Sequence, residues 1–275
     1  MSRLARLEPE LAEFGGTVSV WCGRVGTPPA YARLEHAVHY PASTMKLAVL
    51  AAAYRLADAE VLDLDADVTV RQTFTSAAQG ADQFQMDPDY DSDPKVWQRL
   101  DGRASLRWLS RRMIVRSSNL ATNVVLEHTG YAAATDAWRV VGARHSAVNR
   151  GIEDYAARDA GLDNTVTAAD LAALLAALQT DRLASADACH NMRQVLLAQE
   201  HNNDLPAGLP PGTRIAHKNG WIDGIRHDAG IVYPPDTAPY VLVVCLTTSR
   251  PDGSMRHLMS RIAAASWADR HNLTG

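Results

Sequence analysis

The sequence predicts a mixed α/β fold in which both ends of the chain build one antiparallel sheet and the middle builds a set of helices. Two alternating strand patterns lie near the N-terminus, three lie near the C-terminus, and helical patterns fill the region between them. Because two or three strands alone are marginally stable, the two groups are expected to join into one five-stranded sheet. A cleft between the sheet and the helices is the natural place for a site.

The first hundred residues predict a helix, a hairpin, a buried helix and a long loop. The spacing of apolar residues over 2–14 predicts an amphipathic helix. Strand patterns follow at 17–22 and at about 32–39, and the apolar run 47–54 predicts a helix inside the core. A short extended excursion is expected next. Residues 74–103 are polar and acidic, which predicts a surface loop near the mouth of the site.

The rest of the chain predicts helices first and then strands. Helical patterns lie at about 104–114, 119–129, 132–141, 167–180 and 185–199. Strand patterns follow at about 213–219, 226–233 and 239–247, and a last helix is predicted at about 253–268. We therefore expect residues 1–275 to form a single catalytic unit. Its α/β lobe should come from about 1–42 and 205–275, and its helical lobe from about 43–204.

Composition excludes several classes of function. The 275 residues are 47% hydrophobic and 21% charged, which is typical of a soluble globular protein. A net charge of −4 without a basic block argues against a nucleic-acid partner, and no apolar run has the length of a membrane span. The N-terminus lacks a signal-like apolar core, which predicts a cytoplasmic location, with a secreted protein whose leader has been removed as the alternative. Widely spaced cysteines and histidines predict neither a metal nor another cofactor.

Ser43 and Lys46 form the first candidate motif. Pro41 restrains Tyr40 to an extended conformation and the following run favours helix, so a helix is expected to open at Ser43. At a spacing of three, Ser43 and Lys46 share a helical face, which places an amine beside a hydroxyl. The free N–H groups of a helix N-terminus suit a developing oxyanion. This pattern predicts a nucleophile and its base, although an ordinary N-cap serine beside a surface lysine has the same spacing.

The use of lysine favours the catalytic interpretation. Of the 27 basic residues only three are lysines, at positions 46, 95 and 218. A chain that uses arginine for nearly every positive charge, yet keeps Lys46, has a use for an amine that can lose its proton. Burial in the core would lower the pKa of that amine.

Two further stretches carry candidate residues. Ser117-Ser118-Asn119 lies between two predicted helices, where a simple capping turn is the alternative. Lys218-Asn219-Gly220, followed by Trp221, lies at the end of a predicted strand, where a plain glycine turn is the alternative. Together with Ser43-x-x-Lys46, these stretches resemble the ordered motifs Ser-x-x-Lys, Ser-Asp-Asn and Lys-Thr-Gly of the serine β-lactamase and penicillin-binding-protein superfamily. The resemblance is to its class A branch and extends over the whole chain.

The resemblance implies a fold and a role for each motif residue. The fold would be a five-stranded antiparallel sheet with N- and C-terminal helices, an all-helical lobe, and the active site between them. Ser43 would be the acylated nucleophile and Lys46 its base or proton relay. Ser117 would pass a proton to the leaving group, Asn119 would hold the substrate amide, and Lys218 would attract a substrate carboxylate. The oxyanion hole would consist of the backbone N–H groups of Ser43 and Trp221.

The motifs also depart from the family pattern. Ser118 stands where the family has Asp, which puts the rigidity of that turn in question. Asn219 replaces Thr or Ser and a bulky Trp221 follows Gly220, so the substrate edge differs from one built for penicillins.

Two residues outside the motifs have open roles. Glu153 is the candidate for the glutamate that activates the deacylating water, but no asparagine follows at the family's spacing, and a surface ion pair with Arg150 or Arg158 is the alternative. Arg226 could bind a substrate carboxylate, or it could belong to a structural ion pair.

The sequence therefore predicts a serine hydrolase that acts through an acyl-enzyme on a small-molecule ester or amide, with β-lactams among the candidate substrates. One alternative is an acyltransferase or ring-forming enzyme of small-molecule biosynthesis. Another is a silent binding or sensor domain that keeps the fold.

Overall fold

The computed structural model describes residues 2–273, and a five-stranded antiparallel sheet lies at its centre. The strands, in chain order, are β1 (Thr17–Arg24), β2 (Tyr31–Arg33), β3 (Asp67–Thr69), β4 (Thr73–Thr75), β5 (Gln83–Gln85), β6 (Arg103–Ser105), β7 (Arg214–Ile222), β8 (Ile225–Tyr233) and β9 (Tyr240–Thr247). The order in the main sheet is β2-β1-β9-β8-β7, so β1 pairs with the last strand of the chain. This confirms the sheet predicted from the two ends. Residues 1, 274 and 275 of the predicted unit lie outside the described residues.

The helices lie on both sides of this sheet. They are α1 (Arg3–Arg6), α2 (Glu8–Glu13), α3 (Lys46–Asp58), α4 (Pro94–Trp97), α5 (Leu106–Val115), α6 (Asn119–Arg139), α7 (Tyr155–Asp159), α8 (Ala168–Gln179), α9 (Ala186–Leu197) and α10 (Asp252–Asp269). Gly130, with φ of 77°, breaks α6 where the sequence predicted two helices. Within residues 2–273, none of the helices is long and apolar enough to cross a membrane.

Side chains of the sheet alternate between two apolar layers. Along β9, Leu242 and Val244 pack with α10, while Val241 and Val243 pack with the helices on the other face. Successive strand residues point to opposite faces, so a strand buried on both sides reads as a continuous apolar run. The run 47–54 of α3 is buried in the second layer, as its composition predicted.

Three predicted elements differ from the observed ones. The N-terminal helix is two short helices, because Pro9 lies in the first turn of α2 and favours a new start there. Strand β2 is shorter than predicted, since Leu34 adopts a left-handed φ of 43° directly after it. The third motif lies inside β7 and not at its end, because the strand continues to Ile222 before its turn.

The predicted 74–103 loop contains more structure than its composition indicated. Strands β4 and β5 form a small hairpin within it, and α4 follows. Asp93 is completely buried there and forms an ion pair with Arg112 of α5. This segment is therefore anchored to the helices beside the site.

Candidate active site

Ser43 lies in a tight turn that leads into α3. The turn is a 3₁₀ helix over Ala42–Met45, and Ala42 has a left-handed φ of 46°. Thr44 Oγ1 donates to the Pro41 carbonyl at 2.7 Å, which holds the turn together. Ser43 thus opens a helical segment as predicted, one turn before α3 begins. It lines the cavity described below.

Gly220 brings the edge of the sheet against this turn. A Cβ atom at position 220 would lie 2.4 Å from the backbone nitrogen of Ser43, a distance that side-chain carbons do not adopt. Only glycine therefore permits this approach. The outermost strand, β7, consequently borders the Ser43 turn.

Lys46 is completely buried and turns toward the second motif. Its Nζ atom donates to the Ser117 carbonyl at 2.8 Å, to Ser117 Oγ at 3.2 Å and to Asn119 Oδ1 at 2.8 Å. These partners are neutral oxygens, and no carboxylate pairs with Nζ among the residues the structure describes. Within the same residues, Ser43 Oγ is not among the hydrogen-bond partners of Nζ. The structure thus joins the first and second motifs through Lys46.

Lys218 reaches the same hydroxyl from the opposite wall. It is also completely buried, and its Nζ donates to Ser117 Oγ at 3.1 Å and to the Asn219 carbonyl at 2.6 Å. Ser117 Oγ therefore lies between two lysine amines. The three sequence motifs converge on this one oxygen.

The two amines have lowered pKa values for the same main reason. Burial, followed by the positive charge of Lys218, holds the pKa of Lys46 well below its ordinary value, and the charge of Asp91 acts in the opposite direction. Burial lowers the pKa of Lys218 to about 7, against the opposing charges of Asp228 and Asp204. Both amines therefore lose a proton more readily than an ordinary lysine does.

The turn that presents Ser117 is strained. Ser117 has a left-handed φ of 57°, which is uncommon for a residue with a side chain. The next residue, Ser118, caps α6 by accepting the N–H of Ala121 at 3.1 Å. Such conformations persist where surrounding contacts fix them.

Glu153 lies beside the cavity and is not part of either predicted ion pair. Arg150 pairs with Asp163 instead, and Arg158 pairs with Asp159. Glu153 Oε2 accepts the backbone N–H of Asp87 at 2.8 Å, while its Oε1 is buried without a hydrogen-bond partner among the described residues. Burial raises the pKa of this carboxyl group.

Arg226 and Asn219 lie behind the strand wall and do not line the cavity. Arg226 is 2% exposed and forms ion pairs with Asp204 and Asp252. Asn219 Nδ2 donates to the same Asp204 at 2.7 Å. Of the two roles that the sequence left open for Arg226, these contacts correspond to the structural ion pair. Trp221, in contrast, is 38% exposed and lines the cavity.

A cavity of about 750 Å³ opens above these residues. Its lining includes five of the sequence-predicted site residues, Ser43, Ser117, Asn119, Glu153 and Trp221. Lys46 and Lys218 lie below the surface of the cavity because both are completely buried. In residues 2–273, no group of three or more His, Cys, Asp or Glu side chains is arranged to hold a metal ion.

A model of the beta-lactamase enzyme family matches residues 2–269. The chain belongs to this family. It is 32% identical over 143 residues to a beta-lactamase of Streptomyces lavendulae, and the match covers 50% of this chain and 47% of that protein. The chain thus spans about half the length of this curated relative.

Several solved structures share the fold of this chain. PBP-A has a TM-score of 0.83 and 20% identity, covering 98% of this chain and 96% of that one. A PBP-A mutant, solved as an acyl-enzyme complex with penicillin G, has a TM-score of 0.81 and 21% identity, with coverage of 98% and 96%. The class A beta-lactamase of the last common ancestor of Gram-negative bacteria has a TM-score of 0.80 and 24% identity, covering 98% of each chain. These likenesses confirm the class A β-lactamase fold.

Sequence reasoning missed two acidic residues beside the motifs of this family member. Asp91 contacts the second motif, and Asp204 contacts the third. Asp91 belongs to the acidic stretch that was expected near the site, but its partner is 27 positions away along the chain. No local pattern links residues so distant, so the contact had no signal in the sequence.

Proposed function

We propose that this family member is a serine hydrolase that forms an acyl-enzyme at Ser43 with an ester or amide substrate. The observation that carries the proposal is the environment of Lys46. Its amine is completely buried, its hydrogen-bond partners are neutral oxygens, and a second lysine approaches the same hydroxyl. Such an amine loses its proton more readily than an ordinary lysine, which suits a general base.

Acylation begins when Ser43 Oγ attacks the substrate carbonyl carbon. The Ser43 proton passes to Lys46 Nζ as the new C–O bond forms, which gives a tetrahedral intermediate. The backbone N–H groups of Ser43 and Trp221 stabilise its oxyanion. The close approach of β7 at Gly220 supports this arrangement because it brings the two backbones together.

The intermediate collapses when its leaving group receives a proton. Lys46 returns the proton through the Ser117 hydroxyl, 3.2 Å from Nζ, to the departing nitrogen or oxygen. Protonated Lys218 favours this transfer by lowering the pKa of Ser117, and it attracts a carboxylate on the substrate. Asn119 Nδ2 has two N–H groups. One donates to the Tyr90 carbonyl at 2.7 Å, and the other holds the substrate amide by donating a hydrogen bond to it.

Glu153 is the base that activates water for deacylation. A raised pKa brings a carboxylate closer to the operating pH, which suits a general base. Arg150 and Arg158 are paired with other carboxylates and leave Glu153 without an arginine partner. Its contact with Asp87 N–H leaves one carboxylate oxygen for water.

β-Lactams are a substrate class within this reaction. The similarity to a Streptomyces lavendulae beta-lactamase and to the penicillin G acyl-enzyme of a PBP-A mutant supports testing them first. Trp221 and the acidic residues that line the cavity set the acyl group that fits.

Intact-protein mass spectrometry tests the nucleophile. After incubation with a penicillin, a cephalosporin or a nitrophenyl ester, the wild type should gain the mass of the acyl group, and the Ser43→Ala variant should not. Glu153→Gln should retain the adduct for longer. Absence of both adduct and turnover in the wild type with every probe would contradict the hydrolase and favour the silent binding domain.

Acyl transfer is the second candidate function. One carboxylate oxygen of Glu153 already accepts the N–H of Asp87, and no asparagine follows Glu153 at the family's spacing. A poorly activated water would leave the acyl-enzyme open to an amine or alcohol acceptor. Product analysis with and without an added amine separates the two. Amide product that rises with amine concentration supports transfer, whereas pure hydrolysis in both conditions contradicts it.

A further inference from the structure

Asp91 places a carboxylate at the N-terminus of α6. Its Oδ2 atom accepts hydrogen bonds from Ser118 Oγ at 3.0 Å and from the N–H of Leu120 at 2.8 Å. The first N–H groups of a helix lack intrahelical partners and carry the positive end of its dipole, so a negative charge is favourable there. Ser118 accepts the N–H of Ala121, and Asp91 accepts the N–H that precedes it.

The residues on either side of Asp91 hold the same turn. Tyr90 O accepts from Asn119 Nδ2 at 2.7 Å, and Ser92 Oγ donates to the Arg116 carbonyl at 2.5 Å. Three consecutive residues of one segment therefore contact residues on both sides of the strained Ser117. This is the kind of support that a left-handed residue needs.

The carboxylate is itself held in place. Asp91 Oδ1 accepts the N–H of Asp93 at 3.0 Å, and the completely buried Asp93 pairs with Arg112 of α5. Asp91 is thus anchored to the helix that precedes the turn it supports. Its position is fixed before any substrate binds.

We propose that Asp91 supplies, from a distant segment, the carboxylate that the second motif lacks at Ser118, and that it is a positioning residue for Ser117 and Asn119. Asp91 acts through the turn and does not touch the reacting atoms. The effect on catalysis rests on the proposed function, since Ser117 and Asn119 must be aligned with Lys46 for acylation. The hydrogen bond between Asp91 and Ser118 does not depend on that function.

A charge effect accompanies the positioning effect. Three factors set the pKa of Lys46: burial and the charge of Lys218 lower it, and the charge of Asp91 raises it. Neutralising Asp91 therefore lowers the pKa of Lys46 further. Because the base acts in its neutral form, the acidic limb of the rate profile should move to lower pH.

A double-mutant cycle of thermal unfolding tests the placement without any turnover. Asp91→Asn should lower Tm by about 3 °C or more, because hydrogen bonds to a charged group become hydrogen bonds to a neutral amide. Ser118→Asp alone should also lower Tm, since it sets two carboxylates side by side. The double variant should recover most of the loss. Additive losses would overturn the proposal, and Asp82→Asn, an exposed carboxylate of the same 74–103 region, is the matched control.

The rate of Ser43 labelling by a fluorophosphonate tests the catalytic consequence. Asp91→Asn should slow labelling about tenfold and move the acidic limb to lower pH, whereas Asp82→Asn should change neither. Adding Ser118→Asp to this variant should restore both the labelling rate and the wild-type pH position of the acidic limb. An unchanged rate and profile in Asp91→Asn, or a slow rate that Ser118→Asp does not rescue, would overturn the positioning role.

The two measurements distinguish a failure of the proposed hydrolase function from a failure of the inference about Asp91. If Ser43 of the wild type is not labelled, the proposed hydrolase fails. The unfolding cycle still decides the inference about Asp91, because recovery in the double variant supports the carboxylate replacement and additivity overturns it.

Discussion

Lys46 and Lys218 lie on opposite walls of one site and differ in what surrounds them. Both are completely buried, and both donate to Ser117 Oγ. One carboxylate, Asp91, raises the pKa of Lys46, whereas two, Asp228 and Asp204, raise the pKa of Lys218. Burial thus lowers the pKa of both amines, and nearby carboxylates oppose that effect at each of them.

This difference separates two chemical roles. In the proposed mechanism Lys46, whose pKa lies well below its ordinary value, is the amine that accepts a proton. Lys218, with a pKa of about 7, keeps a substantial fraction of its charge at neutral pH. The proposed mechanism accordingly uses Lys46 as the base and Lys218 as a positive charge beside Ser117.

Replacing Lys46 should have the largest effect on the reaction. Lys46→Met removes the base while keeping a long apolar side chain in the core, so the rate of Ser43 acylation should fall about 10²- to 10⁴-fold. Measured acylation rates test this, and circular dichroism checks the fold. Lys95→Met, at the exposed third lysine, is the matched control and should keep the wild-type rate. Lys46→Met acylation within threefold of the wild type would assign the base elsewhere.

Replacing Lys218 should have a smaller effect with a defined sign. The charge of Lys218 lowers the pKa of Lys46, so Lys218→Met should raise that pKa and move the acidic limb of kcat/KM to higher pH. For a substrate with a carboxylate, the wild type should also lose kcat/KM as pH rises through about 7, where Lys218 loses its proton. The variant should lack this alkaline limb. An acidic limb that stays in place would contradict the coupling of the two amines.

Sequence patterns predicted most of the fold because its periodicities are local. The apolar run of α3 and the alternation along the strands gave the sheet and the core helix, and the order of the motifs placed Ser43, Lys46 and Lys218 together. The two-helix N-terminus and the short β2 were not foreseen, since Pro9 and Leu34 act through backbone conformation at single positions.

The electrostatic partners of the site could not be predicted in the same way. Asp204 meets Arg226 and Asn219 from a different part of the chain, as Asp91 meets Ser118. These contacts depend on the packing of segments that no spacing rule connects. The sequence therefore predicted the candidate reactive groups, and the structure was needed to identify the charges around them.

The smallest effect should come from removing one carboxylate behind the strand wall. Asp204→Asn removes a charge that raises the pKa of Lys218, so the alkaline limb of kcat/KM should move to lower pH. Asp252→Asn is the matched control, because Asp252 pairs with the same Arg226 but is not among the charges that raise the pKa of Lys218. Both variants weaken an ion pair of Arg226, so a change that depended only on that arginine would shift both profiles. A shift in Asp204→Asn alone would show that this carboxylate acts on Lys218 through its charge, as one of the two carboxylates that raise the pKa of that amine.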